Sequence, residues 1–144
     1  MIIDIIGGGI GGLTTGIALK QKGFKVRVFE QATVIKPVGA GIILANNAMQ
    51  VYQKLNLAAK ITQAGNPISS LNISNQNFKK ISTTDLKSFE EQDQLKTIAI
   101  HRGTLQQILV HEFSSDELFL DHELEIILEN NKKSTLCFKN KKEY

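Results

Sequence analysis

Glycines stand at positions 7, 8, 9, 11 and 12, directly after the apolar run Ile2-Ile3-Asp4-Ile5-Ile6. The subset Gly7-x-Gly9-x-x-Gly12 suits one kind of chemistry, the holding of a dinucleotide pyrophosphate by bare main chain. Gly7 permits a tight turn out of a strand, and Gly9 lets the backbone approach the pyrophosphate. Gly12 lets the next helix pack closely on the sheet. That helix, opening at Ile10 and Gly11, turns free N–H groups and a partial positive charge toward the phosphates. The anion needs no lysine there, and none is present. Glu30 closes the following apolar run. A carboxylate at that place accepts hydrogen bonds from both hydroxyls of an adenosine ribose and repels a 2′-phosphate, which favours FAD or NAD over NADP. With no lysine after the glycines, a nucleotide triphosphatase is not expected. This unit alone does not separate FAD from NAD.

Three elements must position those groups. Ile2 to Ile6 reads as a strand buried on both faces of a parallel sheet, with Asp4 as an oddity. Ile10, Leu13, Thr14, Ile17, Ala18 and Gln21 follow helical spacing, and Gly23 is a helix stop. Lys25 to Glu30 alternates and then turns apolar, as a second strand does. Strand, helix and strand within residues 1–30 make a βαβ unit with parallel strands and a right-handed crossover.

Beyond Gln31 the pattern loosens. Lys36-Pro37-Val38-Gly39 reads as a turn or loop, and Gly41 to Ala45 as a short strand. Asn46 or Asn47 is the expected N-cap of a helix carrying Met49, Tyr52, Gln53 and Leu55. A second short helix is expected over Ala58 to Ala64, ending at Gly65. Ile68 to Ser74 and Phe78 to Ser82 flank Asn75-Gln76-Asn77 as a hairpin. Residues 83 to 96 read as a polar surface loop, Thr97 to His101 as a strand, and Thr104 to Phe113 as a helix. Leu118 to Leu120, Leu124 to Leu128 and Thr135 to Phe138 are expected strands, the last two joined through Asn130-Asn131-Lys132-Lys133.

Composition narrows the classes. The 144 residues carry a net charge of only +3. Much of the excess sits late, at Lys132, Lys133, Lys139, Lys141 and Lys142, with Glu129 and Glu143 interspersed. That is no basic stripe, so nucleic acid is not an expected partner. The single cysteine, Cys137, excludes an internal disulfide and a multi-cysteine zinc site, and its apolar neighbours suggest a buried, inert thiol. His101, His111 and His122 lack metal-ligand spacing. Asp121, Glu123 and Glu125 alternate as the polar face of a strand, and Ser114-Ser115-Asp116 reads as a turn or helix boundary. No catalytic acid, base or nucleophile is assigned. The N-terminus lacks the basic region of a signal peptide, and no stretch approaches the roughly 20 apolar residues of a membrane span. A cytoplasmic protein without a membrane partner is expected.

Two later segments separate the cofactors. Ile35-Lys36-Pro37-Val38-Gly39-Ala40-Gly41-Ile42-Ile43-Leu44, followed by Asn47-Ala48, resembles the segment after the second strand in class A flavoprotein monooxygenases. His101-Arg102-Gly103-Thr104-Leu105-Gln106-Gln107-Ile108-Leu109 is similar to that family's strand-to-helix segment, which carries an FAD-contacting arginine. Gly16 and Gly23 also continue the spacing of FAD proteins. The family is the para-hydroxybenzoate hydroxylase-like one, with its FAD-dependent urate hydroxylase and salicylate hydroxylase branches nearest, and the likeness runs along nearly the whole chain.

The resemblance implies an α/β fold: a Rossmann-like FAD-binding domain with a parallel sheet plus an antiparallel β-hairpin portion, incomplete at the C-terminus. Residues 1–144 would be its N-terminal portion. The βαβ unit occupies 1–30, and the remainder supplies cofactor-covering segments and the start of a substrate domain. Gly7, Gly9, Ile10, Gly11 and Gly12 would meet the pyrophosphate. Glu30 would hold the adenosine ribose with Gln31 beside it, and Leu124 would border the adenine. Gly41 and Ile43 would lie along the flavin side. Arg102 would pair with the cofactor phosphate or ribityl chain; a cation at a helix start gains nothing from the dipole, which favours an anionic partner there. FAD is the implied cofactor, with NAD(P)H as reductant and a small aromatic or heteroaromatic compound hydroxylated by the complete enzyme.

Two departures stand out. Ala45-Asn46 replaces the usual proline before asparagine. The family's later Asp-Gly and Gly-Asp motifs are not among these residues, and full-length members are more than twice as long. A catalytically inactive fragment that binds FAD or another dinucleotide is therefore the alternative reading. An NAD-dependent dehydrogenase is a weaker one, opposed by the segments after position 35. Apolar surface left uncovered is expected to favour self-association.

Overall fold

The computed structural model describes residues 1–37, 39–87, 90–91, 94–130 and 134–144. It divides into two compact units, one of residues 1–37 with 106–144 and one of residues 38–105.

The first unit opens with the βαβ arrangement. Strand β1 (Ile2–Ile6) pairs in parallel with β2 (Lys25–Phe29), and helix α1 (Ile10–Gln21) connects them. A short strand, β8 (Leu118–Phe119), joins β2 in parallel, giving the order β1-β2-β8. Leu13 and Ile17 of α1 are buried, as are Val26, Val28 and Phe29 of β2, so the apolar spacing of the helix meets the central strand. Phe113 packs where a Cβ at Gly16 would lie, 2.8 Å from its Cζ, which gives this glycine a packing role. Gly23, with φ of +83°, ends α1 as expected. Its N–H donates to the Lys20 carbonyl and that of Phe24 to Leu19, the paired bonds of a left-handed helix cap.

β1 does not have the two buried faces its β-branched run suggests. Among the described residues it has a single neighbouring strand, and Ile2 and Ile6 are 53% and 46% exposed. Asp4 is explained by the same register. It lies opposite Arg27, whose Nε and Nη2 donate to its two carboxylate oxygens at 2.7 and 2.9 Å.

Strands β9 (Leu124–Glu129) and β10 (Ser134–Phe138) pair antiparallel, with a bulge at Cys137 and Phe138. Asn131, Lys132 and Lys133 of the expected turn lie outside the described residues. Phe29, Leu136 and Phe138 form a buried cluster with Phe119, Leu124 and Tyr144 against it. Cys137 is half-buried rather than buried. Desolvation, then the Glu143 and Glu125 carboxylates, push its thiol pKa up, which lowers its thiolate fraction. Of the expected polar face, only Glu125 lies within β9. Glu123 precedes the strand and pairs with Lys139 at 2.5 Å, and Asp121 turns the chain with φ of +58°.

At the turn after residue 113, Lys20 donates to Glu117 at 2.5 Å and to the Glu112 carbonyl at 2.8 Å. Partial burial pushes the Glu117 carboxyl up, but Lys20 and the Ser114 N–H outweigh it and hold the pKa below the ordinary carboxylate value. A depressed folded-state pKa stabilises the fold above the unfolded value and is lost as pH falls through the folded one. Glu117→Gln should therefore lower the unfolding free energy measured in urea near neutrality, by about 0.5–1 kcal/mol for such a part-exposed pair. The difference from the unaltered chain should close in acid, below the ordinary carboxylate range. A gap that persists there would point to packing instead of charge.

The second unit is antiparallel. Strand β3 (Gly41–Leu44) and β4 (Asn66–Pro67) flank β7 (Ile98–His101), and helices α2 (Asn46–Lys54) and α3 (Ala58–Ala64) lie between β3 and β4 in sequence. Met49, Tyr52, Leu57, Ile61 and Ile98 are buried here. The α2 cap differs from expectation. Ala45 occupies the N-cap position without a side-chain bond, because Asn46 is drawn off: its Nδ2 donates to the Leu95 carbonyl and its Oδ1 accepts from Gln50.

The hairpin forms as β5 (Ser70–Ser74) and β6 (Lys80–Asp85), bulged between Ile73 and Ser74. Its turn is longer than Asn75-Gln76-Asn77, closing from Asn75 to Lys79 with Phe78 at φ of +58°. β6 thereby takes up residues 83–85 of the expected loop. Within the rest of that loop Leu86 and Leu95 are buried, and residues 88, 89, 92 and 93 lie outside the description. Helix α4 (Arg102–Val110) starts two residues before the expected position, so Arg102 is its first residue.

Candidate dinucleotide site

The turn between β1 and α1 has the shape the glycines require. Gly7 adopts φ of +107°, which side chains strongly disfavour, and its N–H donates to the Phe29 carbonyl at 2.7 Å. A Cβ at Gly12 would lie 2.0 Å from the Gly7 carbonyl oxygen, so helix and turn touch backbone to backbone. Gly9 and Gly11 are different: a Cβ on either would meet nothing within 4 Å. The first intrahelical bond of α1 runs from the Leu13 N–H to the Gly9 carbonyl. Helix geometry therefore leaves the Ile10, Gly11 and Gly12 N–H groups without intrahelical acceptors, beside open space at Gly9 and Gly11.

Glu30 stands one residue past β2, at the strand tip. Its Oε2 accepts from the Gly8 N–H at 2.7 Å and its Oε1 from the Ala32 N–H at 2.9 Å. The two bonds fix the carboxylate over the turn. Each oxygen keeps lone-pair capacity for a further donor, such as a ribose hydroxyl. Gly8 is required here too, since a Cβ there would lie 2.9 Å from that of Glu30. A hollow of about 300 Å³ opens beside this carboxylate, lined by Ile6, Gly7, Phe29, Glu30, Gln31, His122, Glu123 and Leu124. His122 and Phe29 are buried at its floor, their rings 5.6 Å apart. The His122 N–H donates to the Glu30 carbonyl at 2.9 Å, tying the wall of the hollow to the carboxylate-bearing turn.

The structure thus gathers Gly7, Gly9, Ile10, Gly11, Gly12, Glu30, Gln31 and Leu124 within the first unit. Gly41, Ile43 and Arg102 belong to the second. There Gly41 begins β3 opposite His101, Ile43 is 51% exposed, and the exposed Arg102 opens α4 with its N–H donating to the Ala40 carbonyl at 3.1 Å. Among the described residues, no group of three or more His, Cys, Asp or Glu side chains could hold a metal ion.

Sequence reasoning missed two contributors. Gly8 is one. Gln106 is the other: its Nε2 donates to the Gly8 carbonyl at 2.8 Å, across 98 positions of sequence. Only its place in the segment after Arg102 could have drawn attention to it. Gln106→Leu should weaken adenine-dinucleotide binding about three- to tenfold, the worth of one lost hydrogen bond, while leaving the far-UV circular dichroism unchanged. Isothermal titration with ADP measures this, and unaltered affinity would remove Gln106 from the site.

Open space at Gly9 and Gly11, unshared amides and an oriented carboxylate fit the ADP half of a dinucleotide. The chain matches the FAD binding domain family over residues 2–141. It belongs to that family. The chain is 36% identical over 125 residues to the aurachin C monooxygenase/isomerase of Stigmatella aurantiaca, a match covering 87% of this chain and 33% of that protein. It is 46% identical over 56 residues to the 3-hydroxybenzoate 6-hydroxylase of Polaromonas naphthalenivorans, covering 39% of this chain and 14% of that one. Its fold superposes on Klebsiella pneumoniae HpxO complexed with FAD and uric acid with a TM-score of 0.87 at 21% identity, over 100% of this chain and 36% of the other. The chain spans about a third of the length of the first of these relatives. No helix among its described residues is long and apolar enough to cross a membrane.

Proposed function

We propose that this chain supplies the ADP-binding end of a flavin-dependent monooxygenase acting on a small aromatic or heteroaromatic compound. The observation that carries the reading is the turn itself: unshared amides at Ile10 to Gly12 beside the open faces of Gly9 and Gly11, with Glu30 fixed opposite by Gly8 and Ala32. The amides take the diphosphate, and the carboxylate takes the adenosine ribose. Gln31 and Leu124 line the hollow with it, and Leu124 is assigned to the adenine on the family resemblance. In the second unit, Arg102 is assigned to the cofactor phosphate or ribityl chain and Gly41 and Ile43 to the flavin side, on the family resemblance of their segments.

Flavin, when bound, supplies the redox chemistry, drawing electrons from NAD(P)H and delivering oxygen to the substrate. The chain's own work is to bind, orient and shield, and no acid or base is assigned to it. The aromatic substrate rests on the relatives, two of which are named for a hydroxybenzoate and for aurachin C. On this reading residues 1–144 form the N-terminal portion of an FAD-binding domain, the βαβ unit at 1–30 followed by cofactor-covering segments and the start of a substrate domain, in a cytoplasmic protein. Ile2, Ile6, Ile73, Phe78, Ile81, Ile126 and Leu128 are exposed. They would promote self-association, which sedimentation over a range of concentrations reads as a rising mass.

The test is spectroscopic. The purified chain should take up FAD, shift the flavin absorbance and show little affinity for NADP. Without the rest of its relatives' length it should turn over no NAD(P)H. Uptake of NAD in preference to FAD would overturn the reading in favour of a dehydrogenase.

A further inference from the structure

His101 has two ring contacts that together fix its protonation. Its Nε2 lies 2.8 Å from the Gly39 carbonyl oxygen, which can only accept. Its Nδ1 lies 3.2 Å from the Gly103 N–H, which can only donate. Both bonds form only when the ring is neutral and carries its proton on Nε2. One side chain thereby joins the loop at Gly39 to the first turn of α4, where Gly103 is the second residue and has no intrahelical acceptor. Between these anchors sits Arg102. Its N–H bonds the next loop carbonyl, that of Ala40, and a Cβ on Gly39 would stand 3.4 Å from the Arg102 Cβ and Cδ. The stem of Arg102 is therefore bracketed by the segment that His101 holds.

We propose that His101 is a positioning residue for Arg102, and that it releases when its ring takes a second proton. The inference rests on the FAD reading above, in which Arg102 touches the cofactor. The added proton must go on Nδ1. There it ends acceptance from Gly103 and sets a cation at the positive end of α4, beside the guanidinium of Arg102. Among the described residues, the strands, helices and loop that adjoin His101 offer no carboxylate in return. β3, β4 and the stretch Gly39-Ala40 carry no titratable side chain, α3 carries Lys60, and the first turn of α4 carries Arg102. The ring is exposed, so protons reach it freely.

FAD affinity of the chain, titrated between about pH 8 and about pH 5.5 where imidazoles ordinarily change charge, tests this. In the unaltered chain affinity should fall toward acid by about three- to tenfold, as one hydrogen bond is lost. His111 and His122 are present in every variant, so the comparison with His101→Phe isolates this ring. That variant should be weaker at the alkaline end and lose the His101 part of the slope. His101→Asn, whose amide oxygen can accept from Gly103, should recover part of the affinity without recovering the slope. Long-range nitrogen–proton spectra of the unaltered chain should show Nε2 protonated at neutral pH. Identical pH profiles in the unaltered chain and His101→Phe, or a proton on Nδ1 at neutral pH, would overturn the role of His101 alone. Failure of the unaltered chain to bind FAD at any pH would overturn the cofactor reading and this inference with it.

Discussion

Gly12→Ala should destabilise the chain and abolish its dinucleotide binding, although alanine is the better helix former. Within a helix, glycine to alanine ordinarily gains about 1 kcal/mol. Here the new methyl would lie 2.0 Å from the Gly7 carbonyl oxygen and 3.2 Å from its carbon. Neither is the tip of a side chain that can swing aside. Gly7 is held in turn by its bond to the Phe29 carbonyl and by a φ of +107°. Relief requires α1 to lift from the turn, which opens the buried contacts of Leu13 and Ile17. A loss of about 3 kcal/mol, the upper end for overpacking, follows. That is a large part of the roughly 5–15 kcal/mol by which a domain is stable. Urea denaturation followed by circular dichroism checks the sign. A midpoint equal to or above that of the unaltered chain would mean that helix and turn do not touch as described.

Gly9→Val should do the reverse: keep the fold and lose the ligand. Gly9 has φ of −74° and ψ of 175°, an extended conformation open to any residue, and nothing lies within 4 Å of a Cβ there. As the N-cap of α1 it has no side-chain cap to lose, so stability should change by no more than about 1 kcal/mol. The isopropyl group, however, would fill the space through which a diphosphate must reach the Ile10 to Gly12 amides. FAD and ADP affinity should both fall on the order of a hundredfold or more, about 2.7 kcal/mol. Calorimetric titration beside a melting curve separates this from the Gly12 result. A stable variant that still binds ADP normally would place the phosphates elsewhere.

These glycines could be read in the sequence because each one's demand is local, set by a turn, an approach or a packing distance within the same motif. The βαβ unit was legible for a related reason: the helical spacing of Leu13 and Ile17 and the alternation of β2 are properties of short windows. Whatever depended on partners distant in sequence was hidden. The exposure of β1 follows from how many strands flank it, which no window of residues states. Asp4 reads as an oddity until register sets it against Arg27. Asn46 has the chemistry of a helix cap, yet the Leu95 carbonyl, 49 positions away, claims its amide. Gln106 is invisible for the same reason, since its partner is the Gly8 carbonyl. A carboxylate at the tip of β2 can be read from Glu30 in the sequence; that Gly8 and Ala32 orient it emerges only from the geometry.

Amide spectra of the nitrogen-15-labelled chain during addition of ADP would locate the ligand most directly. The Ile10, Gly11 and Gly12 resonances should move furthest, followed by Gly8 and Ala32, whose N–H groups bond Glu30, and the shifts should vanish in Gly9→Val. Stationary resonances at Ile10 to Gly12, with ADP perturbing some other part of the chain, would contradict the phosphate cradle on which the flavoprotein reading stands.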